Sequence, residues 1–323
     1  MPVQTRLIAN PLLSIPTMTT STRYTEYDTW AWLYNETMGP EYGRAQLQFL
    51  QRVLLPELPA NAAILDLCCG TGQLIQPLIE AGCRVTGLDS SEGMLAYARQ
   101  NAPQGTYRLE DARSFHLPEQ FDGAFSTSAS LNHIMTLDDL TRVFQNVYRA
   151  LRPGGLFAFD LNHPAQMQKW WRNRIVEGEI VSQYAWKLTP EYQPNLSEGA
   201  FHVTIFQAKP SASLIGRLTQ PCKTLLYRIL SLRRLTRFRL RLLAHFAELQ
   251  PTWARSHLTY RVKGHSLTDV ETALQTAGFT DITLQTIDGH PTIDANHSAH
   301  FICRKSPPIP HPRRTGEALR PEF

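Results

Sequence analysis

Between Ala62 and Leu161 the chain alternates short buried-strand patterns with helical ones, and this rhythm most restricts what it can fold into. Ala62–Leu67, Arg84–Asp89, Thr106–Leu109, Phe121–Ser126 and Leu156–Leu161 are short runs rich in apolar and β-branched residues. Helical spacing marks Gln73–Ala81, a segment capped by Ser90 or Ser91 and running to Gln100, and Leu137–Leu151. Strands that alternate with helices imply βαβ units and a mostly parallel sheet covered on both faces. We therefore expect an α/β, Rossmann-like sheet of seven strands.

Flanking segments read differently. Residues 1–23 are rich in Thr, Ser and Pro and are expected to be a flexible leader. Tyr24–Tyr34 places aromatic and apolar residues three and four apart, which predicts a helix, and a second is expected over Glu41–Leu54. Beyond Pro164, Ile175–Leu188, Gly199–Ala208 and Thr252–Val262 are rich in Val, Ile, Thr and aromatics, so antiparallel strands outside the main sheet are expected. A helix over Ser266–Ala277 should end at Gly278, followed by closing strands at Phe279–Ile287 and Ala299–Arg304. The expected division is a main domain over 24–305, with cap elements 24–54 and 164–262, and a disordered tail over 306–323.

Composition excludes some classes. The 42% hydrophobic and 19% charged residues suit a globular chain rather than a disordered one. Five cysteines form no Cys-x-x-Cys pair, which supports neither a disulfide framework nor a zinc site. Asp160 with His163 is only one possible ligand pair, so no metal is expected. No apolar run approaches the ~20 residues needed to span a bilayer, and no apolar core with a cleavage site follows Arg6. A cytoplasmic location is the resulting expectation. The net charge of +4 predicts no nucleic-acid partner.

One segment concentrates that charge. Over 211–248 stand Arg217, Lys223, Arg228, Arg233, Arg234, Arg237, Arg239 and Arg241, with no acid before Glu248. Leu225, Ile229, Leu232, Leu235, Phe238, Leu242 and Phe246 lie at helical spacing. A basic helical insert among the antiparallel strands is expected. Three uses compete: a lid over the acceptor site, contact with an anionic membrane surface, or contact with a macromolecular partner.

The candidate site lies at the strand ends. The first strand runs into Asp66-Leu-Cys-Cys-Gly70-Thr-Gly72, and the second ends at Asp89, seventeen residues past Gly72. Glycines allow a tight turn and close backbone approach, and a strand-end acid is placed to accept hydrogen bonds from ribose hydroxyls. A dinucleotide fingerprint requires three glycines, whereas the matching positions are Cys68, Gly70 and Gln73. Asp66 and Asp89 also have structural uses, capping a turn and a helix.

The pattern Asp-x-x-x-Gly-x-Gly resembles the first motif of class I S-adenosylmethionine-dependent methyltransferases, and further motifs follow in order over about residues 24–165. Asp89-Ser-Ser-x-x-Met94 resembles the second, which implies that Asp89 holds the ribose, beside Ser90, and that Met94 flanks the adenine. Glu110-Asp111-Ala112 resembles the third, with the Asp111 carboxylate accepting the adenine amino group beside Ala112. Phe121-Asp-x-Ala-Phe-Ser126 resembles the fourth, and Leu151-Arg-Pro-Gly-Gly155 the turn before strand five. Cys68 departs from the glycine usual there, and a tighter fit rather than lost binding is expected. Ser128-Ala-Ser-Leu-Asn-His133 resembles the loop of small-molecule enzymes related to the glycine and sarcosine methyltransferases. His133 would border methyl transfer as a proton acceptor; packing or capping the next helix is its structural alternative, and His163 is a further candidate. Tyr27 and Tyr34 match aromatic positions on the family's lid helix, Tyr27 toward the cofactor and Tyr34 toward the chemistry. The resemblance implies transfer of a methyl group to a nitrogen or oxygen of a small molecule. The competing expectations are a non-catalytic S-adenosylmethionine-binding regulator, a membrane-associated lipid-like acceptor, and a nicotinamide dehydrogenase.

Overall fold

The computed structural model describes residues 25–208 and 225–307, with side chains from Tyr27 onward. The expected leader, residues 308–323 of the expected tail, and the first part of the insert lie outside the described residues. Seven strands form one sheet: β1 (Ala63–Leu67), β2 (Arg84–Asp89), β3 (Thr106–Leu109), β4 (Phe121–Ser126), β5 (Leu151–Leu161), β10 (Phe279–Gln285) and β11 (Ala299–Lys305), in the order β10-β11-β5-β4-β1-β2-β3. Only β11 runs against its neighbours β5 and β10. Arg152–Gly155 bulges from β5, so that Phe121 pairs with Leu151 and Gly123 with Leu156.

β1 is buried along its whole length because both sheet faces are covered. Ile64, Phe125, Leu156 and Ala158 pack against Phe49 and Leu50 of helix α2 (Met38–Val53) and against Ile75 and Leu78 of α3 (Ile75–Glu80). On the opposite face, Leu65, Phe157 and Phe159 meet Val143 and Phe144 of the helix Leu137–Ala150 and Leu274 of the helix Leu267–Ala277. Several helix ends were readable locally. Ser91 caps α4 (Glu92–Asn101) by accepting from the Met94 amide, and Gly278 ends the Leu267–Ala277 helix at φ 105°.

A second, antiparallel sheet comprises β6 (Glu177–Ile180), β7 (Tyr184–Gln193), β8 (Glu198–Gln207) and β9 (Ala254–Lys263), in sequential order. The single strand expected over Ile175–Leu188 is a hairpin, closed where the Val181 amide donates to Tyr184 O. Its inner face places Trp186, Val203, Ile205 and Tyr260 against Trp30, Leu33 and Met38 of the N-terminal segment. That segment is a 3-10 turn (Thr25–Thr29) followed by α1 (Ala31–Glu36), not one helix, because Trp30 between them has φ −128° and ψ 8°. Asp28 ties the segment to α4, accepting from the Ser91 hydroxyl at 2.5 Å and the Gly93 amide at 2.8 Å.

The insert also differs from the expected continuous helix. Residues 225–230 are helical, Arg233–Leu235 forms a 3-10 turn, and a new helix covers Thr236–Ala244. The residues that pack inward on either side of the break are Tyr227, Leu230, Leu243 and Phe246, which meet Ile180, Ala185 and Phe206. Of the expected stripe, Leu225, Ile229, Leu232 and Phe238 face solvent.

Candidate active site

Strand order reverses between β1 and its neighbours β2 and β4, and ligands of open α/β sheets bind at the carboxyl ends of strands at such a point. A cavity of about 470 Å³ lies there, running under the N-terminal segment and the inner face of the second sheet. Tyr27, Tyr34, Cys68, Gly70, Asp89, Ser90, Met94, Asp111, Ala112 and His133 all contribute to its wall.

At the nucleoside end, Asp89 closes β2 with one oxygen accepting from the Gly70 amide and the other from the Ser91 amide, each at 2.9 Å. Burial pushes its carboxyl above the ordinary range, while those amides pull it back. The loop before it is tightly wound, with Cys68 at φ 61°, Gly70 at φ 53° and Gly72 at φ 70°. A Cβ at Gly70 would meet only the Tyr34 ring at 3.8 Å, so its backbone is open to the cavity. Gly72 serves a different purpose: a Cβ there would stand 3.0 Å from Ala98 Cβ, so its small size seats the loop on α4 rather than forming the cavity wall. Asp66 is buried at the end of β1, in a small neighbouring recess shared with Gly70 and Tyr34. Ser126 is fully buried beside the Cys68 thiol and does not reach the cavity wall. His163, the further candidate, is also off the wall and faces the Asp294 and His297 carbonyls.

Asp111 has a partner that the sequence reading missed. Arg113 grips it with Nε at 2.9 and 3.1 Å and Nη2 at 2.5 Å, and the Arg113 amide adds a bond at 2.8 Å. Burial would raise the Asp111 carboxyl, but these bonds outweigh it and hold the group below the usual range. An acid two residues before an arginine was the available signal.

At the other end, His133 Nδ1 lies 3.1 Å from the Arg261 carbonyl and Nε2 lies 2.6 Å from the Tyr27 hydroxyl. A carbonyl only accepts, so Nδ1 carries the proton and Nε2 accepts from Tyr27 O–H. Burial pushes the imidazole down to about 4, with the Arg261 bond opposing, so His133 is neutral near pH 7. Its loop is held from below. Ser128 and Ala129 are left-handed at φ 62° and 56°, and Asp160 accepts from the Ala129 amide at 3.0 Å. Burial lifts Asp160 to about 7. Asn132 ties the same loop down, donating to the Asn162 and Lys263 carbonyls at 2.9 and 2.7 Å. The phenol of Tyr34, also buried on the wall, is pushed up by burial and by the charges of Asp89 and Asp66. Trp171, Val176, Leu188, Pro190 and Phe201 complete an apolar and aromatic chamber beyond His133.

The charge of this wall is specific. Asp89, Glu110 and Asp111 are present, and among the described residues the only Lys or Arg on the wall is Arg113, already bound to Asp111. Such a site favours a ligand carrying positive charge and disfavours a pyrophosphate. Among the described residues no three His, Cys, Asp or Glu side chains group as metal ligands, and no helix is long and apolar enough to cross a membrane.

Residues 64–155 match the family described as a methyltransferase domain. A methyltransferase of Synechocystis sp., itself named as uncharacterized, is 38% identical over 126 residues, covering 39% of this chain and 59% of that one. The dTDP-4-amino-2,3,4,6-tetradeoxy-D-glucose N,N-dimethyltransferase of Saccharopolyspora spinosa is 30% identical over 129 residues, covering 40% of this chain and 49% of its own. The chain thus spans about half the length of these curated relatives. In fold, it is similar to an S-adenosylmethionine-dependent methyltransferase from Clostridium acetobutylicum, with TM-score 0.62 at 16% identity over 87% of this chain and 99% of that one.

Proposed function

We propose that the chain, whose residues 64–155 match a methyltransferase domain, transfers a methyl group from S-adenosylmethionine to a nitrogen or oxygen of a small molecule with an apolar or ring-shaped body. The observation that carries this reading is the wall's charge: three carboxylates face one guanidinium that is already paired. That balance suits a sulfonium donor and is hostile to the pyrophosphate of a nicotinamide cofactor.

The residues fit the donor chemistry. Asp89 retains lone pairs beyond its two amide bonds and would receive the ribose hydroxyls. Met94 and Ala112 would flank the base, the Asp111–Arg113 pair would border its polar edge, and the open Gly70 backbone would lie along the nucleoside. S-adenosylmethionine supplies an electrophilic methyl, released with both electrons of the broken S–C bond remaining on sulfur. Tyr27 and His133 handle the proton. As the nucleophile bonds to carbon, its proton passes to the Tyr27 oxygen while the Tyr27 proton passes to His133 Nε2, and the Arg261 carbonyl steadies the imidazolium so formed. Trp171, Val176, Leu188 and Phe201 exclude water and position the acceptor, and positioning alone removes roughly 7–11 kcal/mol of such a barrier.

The test is release of S-adenosylhomocysteine with a panel of amino sugars, aliphatic and aromatic amines, phenols and acyl carboxylates. Turnover with a nitrogen or oxygen nucleophile is expected. Saturable cofactor binding with no transfer to any member would favour a cofactor-binding regulator.

A further inference from the structure

We propose that the described part of the basic insert, residues 225–248, docks the protein on an anionic lipid surface. Its inner residues Tyr227, Leu230, Leu243 and Phe246 fix it to the outer face of the second sheet, and no residue of 225–250 lines the cavity. Outward it presents large apolar side chains exposed among the described residues: Leu225 is 62% exposed, Leu226 52%, Ile229 45%, Leu232 56% and Phe238 51%. Interleaved with them, Arg228, Arg233, Arg234, Arg237 and Arg241 are exposed, and the sequence holds no acid from 211 to 247. Exposed apolar groups would sink below the headgroups while the arginines, on flexible stems, meet lipid phosphates. Nucleic acid would satisfy the arginines and leave the apolar groups in water. An anionic bilayer satisfies both in one plane.

The insert is hydrogen-bonded to the second sheet and lies close to the cavity. Arg239 is withheld from the surface: its Nε donates to the Gly178 carbonyl at 2.9 Å and its Nη1 to the Leu230 carbonyl at 2.8 Å. Gly178 permits this seat, since a Cβ there would lie 2.6 Å from Leu243 Cδ1. Val176, half-exposed on the cavity wall, is two residues from Gly178, about 7 Å along an extended chain. A surface gripping the insert therefore lies beside one flank of the cavity.

The test is co-sedimentation of the full chain with vesicles of phosphatidylcholine, with and without phosphatidylglycerol. Wild type should pellet with the anionic vesicles at low salt, remain in solution with the neutral ones, and be released as salt rises. Each arginine at such a surface is worth about fivefold in partition, so R234Q/R237Q/R241Q should lose about a hundredfold. I229S/L232S/F238S should lose at least about tenfold. Thermal melts check that each variant is folded; if a triple variant melts early, R237Q or F238S alone carries the test, the first with a loss of about fivefold. Absence of wild-type binding to anionic vesicles overturns the proposal, as does binding that these substitutions leave unchanged. Retention of a duplex oligonucleotide in place of vesicles overturns it in favour of nucleic acid.

Discussion

Replacing His133 with Ala should lower kcat about 10²–10⁴-fold while S-adenosylmethionine affinity changes little, because in the proposed mechanism the imidazole works on the acceptor's proton rather than on the nucleoside. Tyr27→Phe should lower kcat as well, since the relay passes through its hydroxyl, 2.6 Å from Nε2. The pH dependence is distinctive. An unperturbed imidazole loses its proton near 6.5, whereas burial holds this one down to about 4. His133 is therefore deprotonated at every pH above about 5. The kcat/KM profile of wild type, compared with His133→Asn, should show no acid limb near 6.5 that belongs to this residue. A wild-type limb near 6.5 that vanishes in the variant would contradict a buried neutral imidazole.

Replacing Asp89 with Ala should weaken S-adenosylmethionine binding about a hundredfold. A carboxylate receiving two ribose hydroxyls loses two charge-assisted hydrogen bonds at about 1.5 kcal/mol each, about 3 kcal/mol together. Asp89 also orders the loop through the Gly70 and Ser91 amides, so part of the loss would come from a loosened turn. Asp89→Asn separates the two contributions: it keeps one oxygen acceptor and the volume but removes the charge, and a smaller loss is expected. Calorimetric titration of both variants, with melts to confirm folding, measures the effect. Affinity of folded Asp89→Ala within about threefold of wild type would count against the ribose role.

Much of the fold was legible because local rules governed it. β1 and β4 read as apolar runs since both sheet faces are covered there, Ser90 or Ser91 announced the helix that Ser91 caps, and Gly278 marked the end of the Leu267–Ala277 helix. What was hidden depends on tertiary partners. The break at Arg233–Leu235 sits inside a stretch whose spacing continues a helix, and it exists because Tyr227 and Leu243 both pack on the second sheet. The hairpin within 175–193 has uniform β character on both sides of its turn, so composition did not mark the reversal. The same division holds at the site. Asp89 at the end of β2, Met94 in the first turn of α4 and His133 at the end of a 3-10 turn were identified by their motifs, and all reach the cavity. The bond between Tyr27 and His133 joins residues 106 apart in sequence, and that from His133 to the Arg261 carbonyl joins residues 128 apart, so no local pattern encodes them. Gly72 shows the limit of motif reading from the other side, because its missing side chain serves Ala98 of α4.

The central claim is that the carboxylate-lined cavity at the ends of β1 and β2 accepts an adenosine joined to a sulfur-bearing amino acid. Titrating the full chain in a calorimeter with S-adenosylhomocysteine, and separately with NAD, tests it most directly. The account predicts saturable one-site binding of S-adenosylhomocysteine and no binding of NAD. Binding of NAD at that site, or no heat with the adenosyl ligand from a folded protein, would contradict it.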